Sequence, residues 1–201
     1  MARQVCKTVY QFNELSDEAK DKAIENYRQA GFDYEWWNYI FEDAKRMGVL
    51  MGITVDNIYF SGFSSQGDGA CFEGSYEYQK GSVKAIREET GDSDKDLTAI
   101  AKGLQAEQRR NFYGLSASVK HRGHYNHEFC TEIDVQDNRD NAPWQASDEV
   151  EEAFKDLLRD FMRWIYRSLS REWDYMNSDE QITEMIEANE YEFLENGRMY
   201  Y

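Results

Sequence analysis

Val150, Phe154, Leu157, Leu158, Phe161, Ile165 and Leu169 recur at steps of three and four through SDEVEEAFKDLLRDFMRWIYRSLSREWDYM. That period of 3.6 predicts one long amphipathic helix, with Ser147 as its N-cap. Ser16 followed by Asp17 and Glu18 opens a second helix. Ala19, Ala23, Ile24 and Tyr27 form its stripe, and Gly31 ends it. Trp37, Ile40, Phe41 and Ala44 place another helix at about Tyr34 to Met47, closed by Gly48 or Gly52. SVKAIREETG and DSDKDLTAIAKGLQAEQRRNF read as two more, the second capped by Asp92 or Ser93. Ser178 caps a last one that runs towards Gly197.

Between the helices the pattern changes to β-branched and aromatic runs. QVCKTVYQF (4–12), ITVDNIYFSGF (53–63), ACFEGSYEY (70–78), LSASVKHR and HEFCTEIDV read as five strands. Most are joined as hairpins with helices grouped between them. This order predicts an α+β fold, an antiparallel sheet of about five strands covered by helices. Residues 1–201 are expected to form a single domain, its acidic helical part at about 147–201. No Pro-, Ser- or Gln-rich linker interrupts the chain, and Pro143 is its one proline. No apolar run approaches the roughly 20 residues that span a bilayer.

The formal charge of −16 changes the picture, because it is uneven. Residues 128–201 hold twenty acidic and seven basic side chains, whereas residues 101–127 carry a small positive excess. Acid at that density disfavours direct binding of nucleic acid or membrane headgroups and favours basic partners. Glu149, Glu152, Asp156 and Asp160 leave the apolar stripe of the long helix, and Glu184 and Glu187 belong to the last helix. Carboxylates one turn apart, about 5.4 Å, make a track that a groove built for phosphates can accept. Arg159, Arg163, Arg167 and Arg171 interrupt it at a spacing of four.

Candidate chemistry concentrates in two stretches. SGFSSQGDGACFEG (61–74) joins two strands; Gly67 and Gly69 flank Asp68, and Ser64, Ser65, Gln66 and Asp68 can close turns on their own backbone. The stretch lacks the lysine and the following helix of a phosphate-binding loop. It reads as a hairpin connection or as a polar recognition loop. HRGHYNH places His121, His124 and His127 within seven residues, with Cys130 three further on. Strand alternation sets His121 opposite His127, His124 at the tip and Cys130 on the other face. No metal, cofactor or catalytic residue is therefore assigned. Cys6, Cys71 and Cys130, odd in number and in strand-like surroundings, read as free thiols of a reducing compartment. The five tryptophans and fourteen tyrosines suit a second core layer or a homo-oligomer interface equally.

YQFNELSDEAKDKAIENYR, DNIYFSGFSSQGDGACFEG and IEANEYEFLENGRMYY together resemble a family of small proteins from tailed bacteriophages and prophages. The likeness spans nearly the whole chain, and the central motif is its most specific part. It implies a phage origin and a host cytoplasm, and it brings no catalytic residues. By analogy, such an accessory protein is a host-directed inhibitor. The expected function is non-enzymatic inhibition of a host nucleic-acid-handling defence system, of anti-restriction or anti-CRISPR type, by acidic nucleic-acid mimicry. The partner is then a host defence protein or nucleoprotein complex with a basic groove. Two alternatives stand beside it: a binder or degrader of a small nucleotide signal, and a structural or regulatory phage protein acting as a homo-oligomer.

Overall fold

The period-2 stretches pair as antiparallel strands and the period-3.6 stretches coil as helices, which makes this an α+β protein. The computed structural model describes residues 6–32, 34–91, 93–138, 144–145 and 147–200. In chain order the elements are β1 (Tyr10–Gln11), a 3-10 turn (Phe12–Glu14), α1 (Asp17–Ala30), α2 (Asn38–Met51), β2 (Ile53–Phe60), β3 (Ala70–Tyr76) and α3 (Ser82–Thr90). Then follow α4 (Lys95–Arg110), β4 (Leu115–His121), β5 (Thr131–Asp137), β6 (Trp144–Gln145), α5 (Asp148–Met176), α6 (Asp179–Ala188) and β7 (Glu192–Phe193). The chain forms two compact units: Trp37–Ser170, and Met1–Trp36 with Arg171–Tyr201.

The Trp37–Ser170 unit is built on an antiparallel sheet of order β2-β3-β4-β5, to which the two-residue β6 adds an edge. Phe72, Tyr76, Leu115, Ala117, Val119, Ile133 and Val135 are buried on one face. Phe154, Leu158, Phe161, Ile165 and Leu169 of α5 are fully buried, as their spacing predicts. Phe161 meets Phe72 edge-on at 5.8 Å, and Phe154 meets Tyr76 at 4.8 Å. Each such side chain contributes on the order of 1.5–3 kcal/mol through removal from water. Gln108 is buried in this apolar setting without penalty. Its Nε2 donates to the Leu115 carbonyl at 2.7 Å and its Oε1 accepts from the Leu115 amide at 3.3 Å.

The second unit packs α1 and α6 around Phe12, Leu15, Ala19, Ala23, Ile182, Ile186 and Phe193. Ser16 and Ser178 cap these two helices, accepting from the amides of Ala19 and Gln181. Arg28 ties α1 to the start of α6, donating to the Asn177 carbonyl at 3.1 Å and pairing with Asp179 at 2.5 Å.

Several boundaries differ from expectation. The N-terminal strand does not join the main sheet. Only Tyr10 and Gln11 pair, with Phe193 and Glu192 of β7, because Phe12 turns inward to the second unit's core. Residues 4 and 5, also assigned to that strand, lie outside the described residues. Helix α2 starts at Asn38 and runs to Met51, where Gly52 takes the left-handed conformation of a C-cap. Trp36 is buried, whereas Trp37, placed on the apolar stripe by its spacing, is the half-buried N-cap of α2. Helix α6 stops at Ala188, well short of Gly197, since Glu192 and Phe193 are taken by β7. Asp94, rather than Ser93, caps α4; the alternative Asp92 lies outside the described residues.

Asp94 has two roles. Its Oδ1 accepts from the Leu97 amide at 2.9 Å, and its Oδ2 accepts from the indole N–H of Trp164 on α5 at 2.7 Å. Trp164 is buried, so removal of the carboxylate costs the cap and strands a donor. Asp94→Ala is expected to lower unfolding free energy by about 2–4 kcal/mol, about 1 from the cap and about 1–3 from the orphaned indole. Urea denaturation followed by tryptophan fluorescence measures this.

Candidate functional site

β2 and β3 are joined by the glycine stretch, and β4 and β5 by the histidine stretch, so both connections lie at the same end of the sheet. The first loop closes on itself. The Ser61 amide donates to the Gly69 carbonyl at 3.0 Å, and Asp68 Oδ2 accepts from the amides of Ser64 and Ser65 at 2.9 and 2.6 Å. Gly67 takes a φ of 100°, a conformation that glycine adopts without strain. Ser64, Ser65 and Gln66 are exposed at its tip, while the Asp68 carboxylate is engaged by the loop's own backbone. From α5, Tyr166 donates to the Gly62 carbonyl at 3.1 Å and stacks on Phe63 at 5.6 Å. Burial, with the Asp68 charge nearby, raises the Tyr166 hydroxyl pKa above its ordinary value.

The two loops touch. A Cβ on Gly69 would lie 2.6 Å from the Cβ of His127, so glycine is needed here for closeness. Asn126 adds a bond from its amide nitrogen to the Phe60 carbonyl at 2.9 Å. Beside this contact Glu73 bridges three groups. Its Oε2 accepts from the Tyr59 hydroxyl at 2.9 Å and from Asn57 at 3.2 Å, and its Oε1 accepts from the His121 amide at 3.3 Å. The β3–β4 pairing reaches only Gly74↔Val119, so a carboxylate serves His121 where the ladder has ended. The Tyr59 hydroxyl, then the Asn57 amide, hold the Glu73 carboxyl below its usual range. The same bond raises the Tyr59 pKa.

The histidines are not arranged as strand alternation suggests. β4 ends at His121, whose partner is Thr131, and His127 and Cys130 lie in the loop rather than on a strand. His121 stacks on Tyr59 at 4.6 Å, with its Nε2 2.9 Å from the Tyr125 carbonyl. His124 is exposed. His127 and Cys130, expected on opposite faces, are neighbours, with the sulfur 3.3 Å from Nε2. Off the strand, the backbone of the loop brings residues three apart onto one side, and the alternation rule no longer applies. Cys6 is exposed and lies outside any strand, also unlike expectation, whereas Cys71 is buried in β3. Burial pushes the Cys71 thiol up to about 12, reinforced by Cys130 and Glu73. Among the described residues no group of three His, Cys, Asp or Glu side chains is placed to hold a metal ion.

The acidic candidates divide into two kinds. On α5, Glu152 pairs with Lys155 at 3.2 Å and lies 3.9 Å from Arg159. Asp156 pairs with Arg159 at 3.1 Å, Asp160 with Arg163, and Arg163 also with Glu128 at 3.1 Å. The arginine row therefore neutralises most of that track; Glu149 is exposed. On α6, Glu180, Glu184 and Glu187 are exposed opposite the buried Ile182 and Ile186, and none has an ion pair among the described residues. Glu187 also lines a cleft of about 340 Å³ with Glu190, Tyr191, Gln11 and Asn13. Glu149, Glu152, Asp156 and Asp160 belong to one compact unit, Glu184 and Glu187 to the other.

Fold and site together define an acidic α+β protein with a polar and aromatic surface where two loops meet at one end of its sheet. Residues 36–179, which contain the whole Trp37–Ser170 unit, match a domain of unknown function (DUF8835), and the chain belongs to that family. No curated protein and no solved structure matches it. Among the described residues no helix is long and apolar enough to cross a membrane.

Gly69→Ala is expected to cost about 1–3 kcal/mol by overpacking against His127, whereas Ser65→Ala and Gln66→Ala leave the unfolding midpoint unchanged. Denaturant titration of the three variants separates the contact from the exposed tip. The depressed Glu73 pKa gives a pH signature. Its stabilisation is complete above the ordinary glutamate value of 4.5 and is lost as pH falls through the lower native value. The stability gap between wild type and Glu73→Gln should narrow as pH falls below 4.5, read from urea midpoints at each pH. The raised Tyr59 pKa acts with the opposite sign: its share persists below its ordinary value of 10.0 and fades above it.

Proposed function

We propose that the protein is a non-enzymatic, phage-encoded inhibitor that acts in the host cytoplasm on a nucleic-acid-handling defence system. Its partner is a host protein or nucleoprotein complex with a basic groove, which the acidic surface enters in place of nucleic acid. One observation carries this reading: Glu180, Glu184 and Glu187 stand exposed along α6 without an ion pair among the described residues. Unpaired carboxylates keep their charge available to a partner, whereas those of α5 are largely spent on Lys155, Arg159 and Arg163. The formal charge of −16 supports the same direction by steering the chain towards positive surfaces. The active acidic face thus moves from the long helix to α6, with Glu149 the remaining contributor from α5.

A second reading has its own observation. Gly69 and His127 bring the two loops together beside Tyr59, Glu73 and His121, a mixture of donors, acceptors and ring faces that suits a small nucleotide signal. A melting-temperature rise on addition of nucleotides would favour this reading over the first.

Capture from host lysate, with and without nuclease, identifies the partner and distinguishes protein from nucleic-acid bridging. Against that partner, Glu184→Lys with Glu187→Lys should reduce affinity at least about tenfold, mainly through the on-rate, with the far-UV circular dichroism unchanged. Glu149→Lys should have a smaller effect. Undiminished binding by the folded double variant would refute the acidic-face reading.

A further inference from the structure

The C-terminal end of α6 gathers negative charge beside a cleft. The Tyr191 amide donates to the Ile186 carbonyl at 3.3 Å and the Glu190 amide to the Glu187 carbonyl at 3.1 Å, the paired bonds of a Schellman turn. The carbonyl end of a helix carries partial negative charge, which a lysine or arginine in the last turn offsets. The last turn of α6 has no basic residue. Glu187 and Glu190 add two exposed carboxylates there, neither with an ion pair among the described residues.

The cleft of about 340 Å³ that they line is at the small end of the roughly 300–1,000 Å³ of ligand sites. Its floor is apolar, since Phe12 and Ile186 line it and both are buried. Tyr191 forms a wall and is itself held by Tyr27, their ring centroids 6.1 Å apart. Asn13 adds a neutral amide. Glu190 has a φ of 51°, at the position where such turns usually place glycine. A side chain at that position is strained, and here it delivers a carboxylate to the cleft.

Such a lining suits a cation with an apolar stem. We propose that this cleft receives an arginine side chain of the basic partner. The inference rests on the acidic-face reading and gives that face a point of register. The arginine stem lies on Phe12 and Ile186, the planar guanidinium stacks on Tyr191, and its N–H fork meets Glu187 and Glu190. A lysine ammonium is more strongly hydrated and has no fork, so it matches the charge of the cleft but not its walls. The cleft thereby adds shape selection to an interaction that charge alone leaves unselective.

The test titrates the full-length protein with acetyl-Gly-Arg-Gly-amide and reads backbone amide shifts by two-dimensional NMR. Shifts should saturate at Asn13, Glu187, Glu190 and Tyr191. The citrulline counterpart, which keeps the shape and loses the charge, should bind at least about tenfold more weakly. The lysine counterpart, of equal charge, should bind at least about threefold more weakly. Glu190→Gly separates site from scaffold: relief of the left-handed backbone should raise the melting temperature while arginine affinity falls at least about threefold. Glu187→Gln should weaken binding without lowering the melting temperature. Equal binding of the lysine peptide reduces the cleft to the general field of an acidic chain and overturns the proposal, as does unaltered arginine binding in both variants. No host partner enters the titration, so failure here leaves the acidic-face reading to its own test, and failure there leaves this titration unaffected.

Discussion

The burial of the apolar stripe of α5 against the β2-β3-β4-β5 sheet is the constraint on which the larger unit depends. Phe154 and Phe161 meet Tyr76 and Phe72 of the same strand, four residues apart, so the helix is fixed both along and across β3. Once α5 is seated, its other faces have set positions. Trp164 reaches Asp94 at the start of α4, Arg167 reaches Asp96, and Tyr166 reaches Gly62 beneath the glycine loop. One helix thereby anchors a neighbouring helix and one of the two loops of the candidate site.

The same helix explains why charge is a poor guide when read as a count. Its acidic residues number more than its basic ones, yet Lys155, Arg159 and Arg163 stand three residues beyond Glu152, Asp156 and Asp160, the spacing that brings side chains together on a helix surface. The carboxylates of these pairs are exposed although Lys155 and Arg159 are largely buried, and pairs open to water on one side add little to stability. Their effect is on the field, which they cancel locally. On α6 no basic residue occupies the corresponding positions, and the field of Glu180, Glu184 and Glu187 extends outward.

The helices and hairpins were legible in the sequence because hydrophobic period and capping chemistry are local. Ser16, Ser178 and the α5 stripe needed no knowledge of the rest of the chain. The destination of a short strand was not. Whether Tyr10 pairs with the main sheet or with Phe193 depends on where Phe12 finds a core, and that core includes Ile182, Ile186 and Phe193 from the far end of the sequence. The candidate site was legible only in its parts. The glycines and histidines announced two loops, but nothing in either stretch encodes that Gly69 and His127 touch. Glu73 gave a weak signal, a carboxylate in a largely apolar strand. The error over Cys130 had a definite origin: strand alternation was extended past Thr131, where β5 begins.

The contact between Gly69 and His127 also bears on the order of events in folding. It joins residues more than fifty positions apart, yet the β3–β4 and β4–β5 pairings already bring the two loops to one end of the sheet. Pairing of the strands has thus already met most of the entropic cost of closing so long a segment. The meeting of the loops is in that sense a latch on a sheet end that strand pairing has already assembled.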